Sequence, residues 1–331
     1  MEKSAESVTP NHPDKICDRI SDAILDACLE QDPMSRVAIE TMGGHGIITI
    51  TGELTTKAYV NVHDIVRKIV GEKYGIQTNI VQQSPEIANG VDTGGAGDQG
   101  VMVGYACNDN EQMIPQQVWL ARNLCQTIYS KFPFDGKTQI TLDEKGNIKA
   151  IVASFQNTTK RELEEVINAW LENIGQMHRG IITHCNAAGD WKIGGFEADT
   201  GLTGRKLAVD NYGTDIPFGG GAFSGKDATK VDRSAAYMAR SIAVKLLKEY
   251  GAKEVLVKLA YAIGVANPVM AFATVTSPTK KEMVNVLTIE LTDEKKYLTP
   301  NGIIEFLDLR RPQFEKTAQW GHFGNGFKWD Q

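Results

Sequence analysis

Apolar residues along the chain follow two periods, one of 3.6 residues and one of 2. Residues 14–30, "DKICDRISDAILDACLE", have the longer period and predict an amphipathic helix, with His12 and Asp14 at its start. Its apolar face carries Ile16, Ile20, Ile24, Ala27 and Cys28. The same period predicts helices at "PQQVWLARNLCQTIYSK", "KRELEEVINAWLENI" and "VDRSAAYMARSIAVKLLKEYG", with Gly251 as the C-terminal cap of the last.

Two stretches have the shorter period and predict antiparallel hairpins. "RVAIETMGGHGIITITGEL" is interpreted as two strands joined by a turn at Gly43-Gly44, and "KTQITLDEKGNIKAIVASF" as two strands around Gly146. Hairpins that alternate with single long helices indicate an α+β protein rather than a doubly wound parallel sheet.

Weak internal repeats accompany these elements. "KICDRISDAILDA" resembles the later "KVDRSAAYMARSI", and "TGELTTKAYV" resembles "TGLTGRKLAV". Together they suggest repeated domains of about 100 residues each, a normal domain size. No low-complexity linker separates them, so we expect the domains to pack tightly.

Composition narrows the class of protein. The 331 residues are 42% hydrophobic and 23% charged, with a net charge of -6, and no basic stripe of the kind that binds nucleic acid is present. The five cysteines are odd in number and form no C-x-x-C motif, which favours buried, reduced thiols. The start of the chain has no apolar leader, and no apolar run is long enough to span a bilayer. We expect a soluble cytoplasmic protein.

The stretch "GGGAFSGKD" matches the Walker A pattern through Lys226, but Asp227 occupies the position of the Ser or Thr that binds magnesium. The preceding residues are polar and contain Pro217, whereas a P-loop follows a buried strand. The glycines would still let backbone N–H groups approach an anion. The alternatives are a phosphate site of another kind and a flexible surface turn with a solvated lysine.

Four polar clusters adjoin apolar segments: "NHPDK", "GAGDQG", "DTGLTGRK", and "GGGAFSGKD" followed by "KVDRSAA". They supply the cations Lys15, Arg205, Lys206, Lys226 and Lys230 and the carboxylates Asp14, Asp98, Asp199 and Asp232. Cations neutralise phosphate and carboxylates hold Mg²⁺, so this set suits a magnesium polyphosphate. Taken singly, Asp14 and Asp232 also fit helix-capping acids, His12 a turn residue and Trp191 a core residue.

These motifs, in this order, resemble the S-adenosylmethionine synthetase (methionine adenosyltransferase) family. The resemblance rests on "HPDK" opening a long helix, "GAGDQG" before "MVGYA", "DTGLTGRK", "GGGAFSGKD" with "KVDRSAAY", and "YAIGVANP", and it runs from about Glu6 to Gly324. It implies three similar α+β domains around a pseudo-threefold axis, here 1–87, 88–190 and 191–331. It also implies a homodimer with active sites at the interface, which could assemble into a tetramer.

The reaction implied by the resemblance joins ATP to L-methionine. The sulfur attacks C5′ of the ribose, and the tripolyphosphate leaves and is hydrolysed to phosphate and diphosphate. A thioether has no proton to lose, so the attack needs no base, and positioned cations and magnesium should dominate catalysis.

The resemblance also assigns roles to individual residues. The catalytic set is His12, Lys137, Arg205, Lys206, Lys226 and Lys230. ATP would be held by His12, Asp135, Lys137, Trp191, Asp199, Arg205, Lys206, Ala222 and Lys226, with Asp135 at the ribose and Trp191 stacked on adenine. Methionine would contact Glu53, Gln83, Asp98, Asp199 and Lys230. Asp14 and Asp232 would bind two Mg²⁺ ions, and Glu40 would bind K⁺.

The chain departs from the family pattern at several positions. Only Thr93 and Gly94 separate "NGVD" from "GAGDQG", where a longer segment of a mobile lid is usual, and shortening a lid should alter closure more than chemistry. Asp190 in "CNAAGDW" occupies an expected arginine position, and Gln156-Asn157 replaces a common Gln-His pair.

Two other functions remain open at this point. A P-loop-like kinase or NTPase is disfavoured by Asp227 and by the missing upstream strand, and it would release ADP. A non-catalytic regulatory homologue that binds nucleotide is compatible with the shortened lid.

Overall fold

The computed structural model describes residues 1–82, 94–176, 180–278, 284–292, 294 and 297–331. The strands are β1 Lys3–Val8, β2 Arg36–Gly44, β3 Ile47–Thr55, β4 Gly75–Val81, β5 Gly100–Cys107, β6 Gly136–Leu142, β7 Ile148–Phe155, β8 Ile182–Cys185, β9 Gly201–Leu202, β10 Glu254–Tyr261, β11 Met270–Pro278 and β12 Val284–Glu290. The helices are α1 Pro13–Gln31, α2 Val62–Val70, α3 Gln116–Lys131, α4 Lys160–Asn173, α5 Leu207–Asp210, α6 Val231–Tyr250, α7 Pro300–Leu307 and α8 Thr317–Trp320. Short 3₁₀ turns occur at Gly195–Glu197 and Lys328–Asp330.

The strands form three four-stranded sheets, ordered β4-β3-β2-β9, β1-β6-β7-β8 and β12-β11-β10-β5. Each sheet contains one strand that is remote in sequence from the other three. Strand β1 joins β6, β5 joins β10, and β9 joins β2, all antiparallel. Strands are therefore exchanged cyclically among three consecutive parts of the chain. The boundaries 1–87, 88–190 and 191–331 stay a prediction; with them, each domain would contribute its first strand to another domain's sheet.

One long helix covers one face of each sheet. Helix α1 packs on β2 and β9, α3 on β1 and β6, and α6 on β5 and β10. The shorter helices α2, α4 and α7 pack beside α1, α3 and α6, respectively. Strand β2 therefore has one buried face and one more exposed face. Its residues Val37, Ile39 and Thr41 are buried, while Met42 is exposed. The predicted α+β class is confirmed.

The predicted helices are confirmed to within one or two residues, and Gly251 ends α6 with the left-handed φ of 54°. The hairpin around Gly146 is also confirmed. The sheets are not purely antiparallel, because β4 runs parallel to β3 and β8 runs parallel to β7. These parallel neighbours lie outside the two predicted hairpins.

The predicted turn at Gly43-Gly44 is wrong. Both glycines belong to β2, and the chain turns at His45 and Gly46, where φ is 50° and 90°. Two positive φ values in succession suit a two-residue hairpin. The glycines are explained by close packing instead, because a Cβ at Gly43 would lie 2.5 Å from the Phe196 ring.

All five cysteines are free and buried, as predicted. The helices in the described part of the chain include none with the length and apolar character needed to cross a bilayer.

Two arginines of helix α6 are completely buried. Arg233 forms two hydrogen bonds to Asp22, of 2.6 and 2.9 Å. Arg240 donates from Nε to Asp330 at 2.9 Å and from its terminal nitrogens to the carbonyl oxygens of Tyr105, Gln112 and Met113. A buried charge is tolerated when it is paired and hydrogen-bonded, and both arginines meet this condition.

We predict that Asp330→Ala lowers the free energy of unfolding by about 3–5 kcal/mol, because Arg240 would remain buried without its counter-ion. Urea titration followed by circular dichroism measures this difference. Glu165→Ala is the control, since Glu165 pairs with Arg161 on the exposed face of α4 and solvent screens that pair. Equal unfolding midpoints for the two variants would contradict the prediction.

Candidate active site

His12 is the N-cap residue of helix α1. Its Nδ1 accepts a hydrogen bond from the backbone N–H of Asp14 at 3.2 Å. Burial and the neighbouring Lys206 lower the pKa of the imidazole to about 4, so the ring is neutral at pH 7. A neutral ring whose Nδ1 accepts a hydrogen bond carries its proton on Nε2. His12 therefore offers an uncharged N–H donor, and its capping role agrees with the turn interpretation as well.

Asp14 is buried in the first turn of α1 and has cations on one side. Its Oδ1 accepts the backbone N–H of Leu202 at 2.9 Å, and its Oδ2 accepts Lys206 Nζ at 2.5 Å. Arg205 Nε lies 3.6 Å from Oδ1. Burial alone would raise the pKa of Asp14, but the hydrogen bonds from Lys206 and Leu202 hold it below its ordinary value. Asp14 is thus a carboxylate at neutral pH.

Three further predicted residues lie around His12. Lys137 on β6 is close enough to lower the pKa of His12, and Asp199 is close enough to raise it. Asp135 is buried beside them, and its Oδ2 accepts the backbone N–H of Gly195 at 2.8 Å. Burial raises the pKa of Asp135, and that hydrogen bond partly offsets the effect. The group formed by His12, Asp14, Asp135, Lys137, Asp199, Arg205 and Lys206 is called the His12 cluster below.

Trp191 is half-buried rather than a core residue. Its ring lies against Gly194, where an added Cβ would be 2.8 Å from the Trp191 ring and 2.6 Å from the Gln156 side chain. Gln156 and Gly194 also line a cavity of about 310 Å³ beside Asp135. The indole therefore lies near the Asp135 end of the His12 cluster.

Asp190, at the expected arginine position, has a structural role. Its carboxylate accepts the backbone N–H of Lys160, the first residue of α4, at 3.0 Å. It also accepts Asn186 Nδ2 at 3.3 Å. A carboxylate at a helix N-terminus is favoured by the helix dipole, so Asp190 stabilises α4.

A second group of predicted residues surrounds Lys226. Lys226 Nζ donates to Asp232 Oδ2 at 2.7 Å. Glu40 is half-buried on β2; burial raises its pKa, and the charge of Lys226 lowers it. Lys230 Nζ donates to Asp227 Oδ1 at 2.5 Å. These residues, Glu40, Lys226, Asp227, Lys230 and Asp232, are called the Lys226 cluster.

The structure explains Asp227 in the near-match to a P-loop. This carboxylate is buried and accepts the backbone N–H groups of Val37 at 2.7 Å and Thr229 at 2.9 Å. It therefore fastens the loop to strand β2. No strand lies between β9 and the loop in the described chain, so the P-loop interpretation lacks its structural context.

The glycines of this loop approach protein atoms closely. A Cβ at Gly221 would lie 2.3 Å from the Asp232 carboxylate carbon, and one at Gly225, where φ is 81°, would lie 2.0 Å from the carbonyl oxygen of Ile39. At these two positions, packing against β2 and α6 accounts for glycine.

Contacts of the backbone place two of the remaining predicted residues, Glu53 and Ala222. Glu53 on β3 pairs with Ala38, and Ala38 forms an isolated bridge with Lys226. Ala222, in the loop that carries Lys226, lies against Gly204, the residue before Arg205, because a Cβ at Gly204 would be 2.4 Å from the Ala222 methyl group. Asp98 is exposed just before β5. Gln83 and most of the shortened lid segment lie outside the described residues.

The two clusters are not joined through their charged groups. Among the residues described, no hydrogen bond or ion pair links a charged side chain of the His12 cluster to one of the Lys226 cluster. Ion pairs instead form within each cluster, between Lys206 and Asp14 in the first and between Lys226 and Asp232 in the second. The predicted site residues are thus gathered into two groups rather than one.

The carboxylates do not form a preassembled metal cage. The described chain contains no group of three or more His, Cys, Asp or Glu side chains arranged to hold a metal. Asp14 and Asp232 are single carboxylates, each hydrogen-bonded to a lysine. Mg²⁺ keeps several waters and is commonly bound by one or two carboxylates together with substrate phosphates. The donor set therefore fits Mg²⁺ that is bound together with a polyphosphate.

Sequence reasoning missed a row of carboxylates on helix α1, of which the first three are buried and the fourth is half-buried. Asp14, Asp18, Asp22 and Asp26 follow one another at intervals of four residues. Residues four apart lie on the same helix face, so this spacing was a readable signal. We call this row the aspartate stripe.

Comparison with known proteins gives matches along the chain. The N-terminal, central and C-terminal domain models of S-adenosylmethionine synthetase match residues 2–89, 93–189 and 193–331. Proteins named S-adenosylmethionine synthase are similar over 99% of this chain and 95% of their own length: 42% identical from Helicobacter hepaticus, 41% from Pseudothermotoga lettingae and 39% from Brachyspira hyodysenteriae.

The alignment with the Helicobacter hepaticus protein covers 367 positions, more than the 331 residues present here. That relative therefore contains residues without a counterpart in this chain. With the domain models spanning almost the whole sequence, and with identities near 40%, the chain belongs to the S-adenosylmethionine synthetase family.

Proposed function

We propose that this protein is a methionine adenosyltransferase that makes S-adenosylmethionine from ATP and L-methionine. The observation that carries the proposal is the His12 cluster, in which a neutral imidazole donor lies beside Lys206 and Asp14. Such a cluster suits an anionic leaving group. Membership of the family supports the same reaction.

The chemistry explains why cations predominate over bases. A lone pair of the thioether sulfur forms the S–C5′ bond, the C5′–O bond breaks, and its electron pair remains on the tripolyphosphate. No proton leaves the sulfur, so no general base is required. The leaving group gains negative charge in the transition state, and donors placed there in advance lower the barrier. Water then hydrolyses the tripolyphosphate to phosphate and diphosphate.

In this proposal, the oxygens of the leaving tripolyphosphate are bound by His12, Lys137, Arg205 and Lys206. His12 donates its Nε2–H without adding charge at neutral pH, because its pKa is about 4. Lys206 and Arg205 are held by Asp14 before substrate arrives, which limits the entropy lost when they bind phosphate. Lys226 and Lys230 would contact the polyphosphate from the other cluster.

Metal ions complete the charge balance in this proposal. Relatives in this family generally use a divalent metal and potassium. Asp14 and Asp232 would hold Mg²⁺ together with the polyphosphate, and Glu40 would hold K⁺. When bound, Mg²⁺ would neutralise the phosphate oxygens. The lysines now on Asp14 and Asp232 would then be able to turn toward phosphate.

The nucleoside of ATP and the methionine are assigned to different sets of residues. Asp135 would hold the ribose, and Trp191, next to the cavity beside Asp135, would stack on adenine. Methionine would lie among Glu53, Gln83, Asp98, Asp199 and Lys230. The carboxylates Asp98 and Asp199 would also favour the positive charge that grows on sulfur.

We further propose that a second copy of the chain completes the site. No charged contact links the two clusters within the described part of one chain, and the His12 cluster of one copy would face the Lys226 cluster of another. Exposed apolar side chains on one sheet support this arrangement. The exposed apolar side chains Met42, Ile47, Val81 and Leu202 all lie in the sheet that contains β2. Exposed apolar patches of this kind are typical of protein interfaces.

The direct test is to incubate the purified protein with ATP, Mg²⁺, K⁺ and methionine. We expect S-adenosylmethionine by mass spectrometry, with phosphate and diphosphate, and all three only when methionine is present. ATP binding without a sulfonium product would instead favour a non-catalytic nucleotide-binding homologue, and release of ADP would favour a kinase.

Replacing Trp191 by alanine tests the assignment of adenine. Base–aromatic stacking contributes about 1–3 kcal/mol, so Trp191→Ala should weaken ATP binding by that amount and affect methionine binding much less. Calorimetric titration with each substrate measures both. Tyr59→Ala is the control, because Tyr59 is exposed and belongs to neither cluster. Equal losses for ATP and methionine would count against stacking.

Mixing inactive variants tests the shared site. Arg205→Ala damages the His12 cluster and Lys226→Ala the Lys226 cluster, so each variant alone should lose most of its activity. Co-expressed in equal amounts, they should recover about one quarter of wild-type turnover, because half of the random dimers contain one intact site. The matched control mixes Arg205→Ala with Lys137→Ala, which damage the same cluster and should give no recovery. Equal behaviour of the two mixtures would exclude a shared site.

A further inference from the structure

The aspartate stripe connects helix α1 to three distant segments through the same type of contact. Asp14 accepts the backbone N–H of Leu202 at 2.9 Å, Asp18 that of Gly204 at 2.8 Å, and Asp22 that of Gly225 at 2.8 Å. Asp26 accepts three, from Gln313, Phe314 and Glu315, at 2.9–3.0 Å. Successive helical turns thus hold successive loops.

The first three carboxylates are buried and each has a cation. Asp14 pairs with Lys206, Asp18 with Lys15 at 3.0 Å, and Asp22 with Arg233. Hydrogen bonds that involve a charged group are stronger than neutral ones, and losing such a partner leaves a buried N–H unsatisfied. These contacts therefore fix the loop backbone more firmly than a neutral acceptor would.

Asp18 holds one end of the segment that carries two proposed phosphate ligands. Gly204 is bonded to Asp18, and Asp210 at the other end binds Lys15 Nζ at 2.5 Å. Lys15 therefore bridges the two carboxylates, Asp18 at 3.0 Å and Asp210 at 2.5 Å. Arg205 and Lys206 lie between these two fixed points, and the Asp210 N–H closes the segment onto the Lys206 carbonyl at 2.8 Å.

We propose that Asp18 is a positioning residue for the transfer reaction, acting through Lys15 and the backbone of residues 204–210 to place Arg205 and Lys206 against the polyphosphate. The inference rests on the proposed function for its chemical purpose. Asp18 is buried beneath the segment and is not assigned to the substrate. Its effect is confined to the His12 cluster, because the Lys226 loop is held by Asp22 through Gly225.

The first measurement is the affinity for inorganic tripolyphosphate by calorimetry, which needs no turnover. Asp18→Asn should weaken binding by about tenfold, since small displacements of charged contacts from their target are costly. The matched control is Asp26→Asn, the same substitution in the same stripe. Asp26 holds residues 313–315, which contain no proposed ligand. The tripolyphosphate affinity of Asp26→Asn should therefore stay within about twofold of the wild-type value. Equal losses in both variants would overturn the proposal.

A double-mutant cycle separates positioning from general destabilisation. In a Lys206→Ala background, Asp18→Asn should weaken tripolyphosphate affinity less than it does in the wild type, because one of the two groups it places is already gone. In a Lys226→Ala background, the effect of Asp18→Asn should persist in full. A structural role alone would give additive losses in both backgrounds, and that result would refute the assignment.

Asp210→Asn provides a second variant if Asp18→Asn does not fold. It keeps the side-chain shape and releases the opposite end of the same segment, so it should weaken tripolyphosphate binding in the same direction. Unchanged affinity in a folded Asp210→Asn protein would contradict the proposal. Turnover of the wild-type protein is measured separately. If the wild type makes no S-adenosylmethionine, the proposed function fails, while the titrations still decide whether Asp18 positions a polyphosphate site.

Discussion

Buried carboxylates on one helix, each bonded to the backbone of a distant loop, are the constraint on which the functional part of this molecule depends. Charged acceptors in a low-dielectric interior are costly unless paired, so Asp14, Asp18 and Asp22 each need both a cation and an N–H donor. The donors come from "DTGLTGRK" and "GGGAFSGKD", and so burial of helix α1 also determines where those motifs lie. Stability and site geometry are therefore set by the same contacts.

The two clusters have a common electrostatic plan. Lys206 is paired with Asp14, Lys226 with Asp232, and Lys230 with Asp227. Lysine chains so placed avoid mutual repulsion and lose part of their conformational freedom when the protein folds rather than when substrate binds. His12 supplies a donor without adding to the positive charge, because burial keeps it neutral. When a polyphosphate binds, the lysines would exchange their carboxylate partners for phosphate oxygens.

Periodicity sufficed for helices α1, α3, α4 and α6 and for the α+β class, because amphipathic patterns report burial of local surfaces. It could not place the turn at His45-Gly46, because Gly43 and Gly44 are required by close contacts with Phe196 and Thr200, more than 100 positions away. The cluster residues were identified by motif, but their division into two groups depends on tertiary contacts. Asp190 and Asp227 differ from familiar patterns because each binds backbone N–H groups. The aspartate stripe was visible as spacing, and only the structure shows what its members hold.

Cyclic strand exchange has a consequence for synthesis of the chain. Lys3 pairs with Leu142, Cys107 with Glu254, and Gly43 with Gly201. During translation, β1 therefore emerges long before its partner β6, and the sheet of β2, β3 and β4 gains β9 only after more than half of the chain has been made. Unpaired strand edges invite association with other chains, and distant pairings form slowly. The nascent protein thus remains exposed to aggregation until late in synthesis, because the three sheets become complete only at residues 185, 202 and 290.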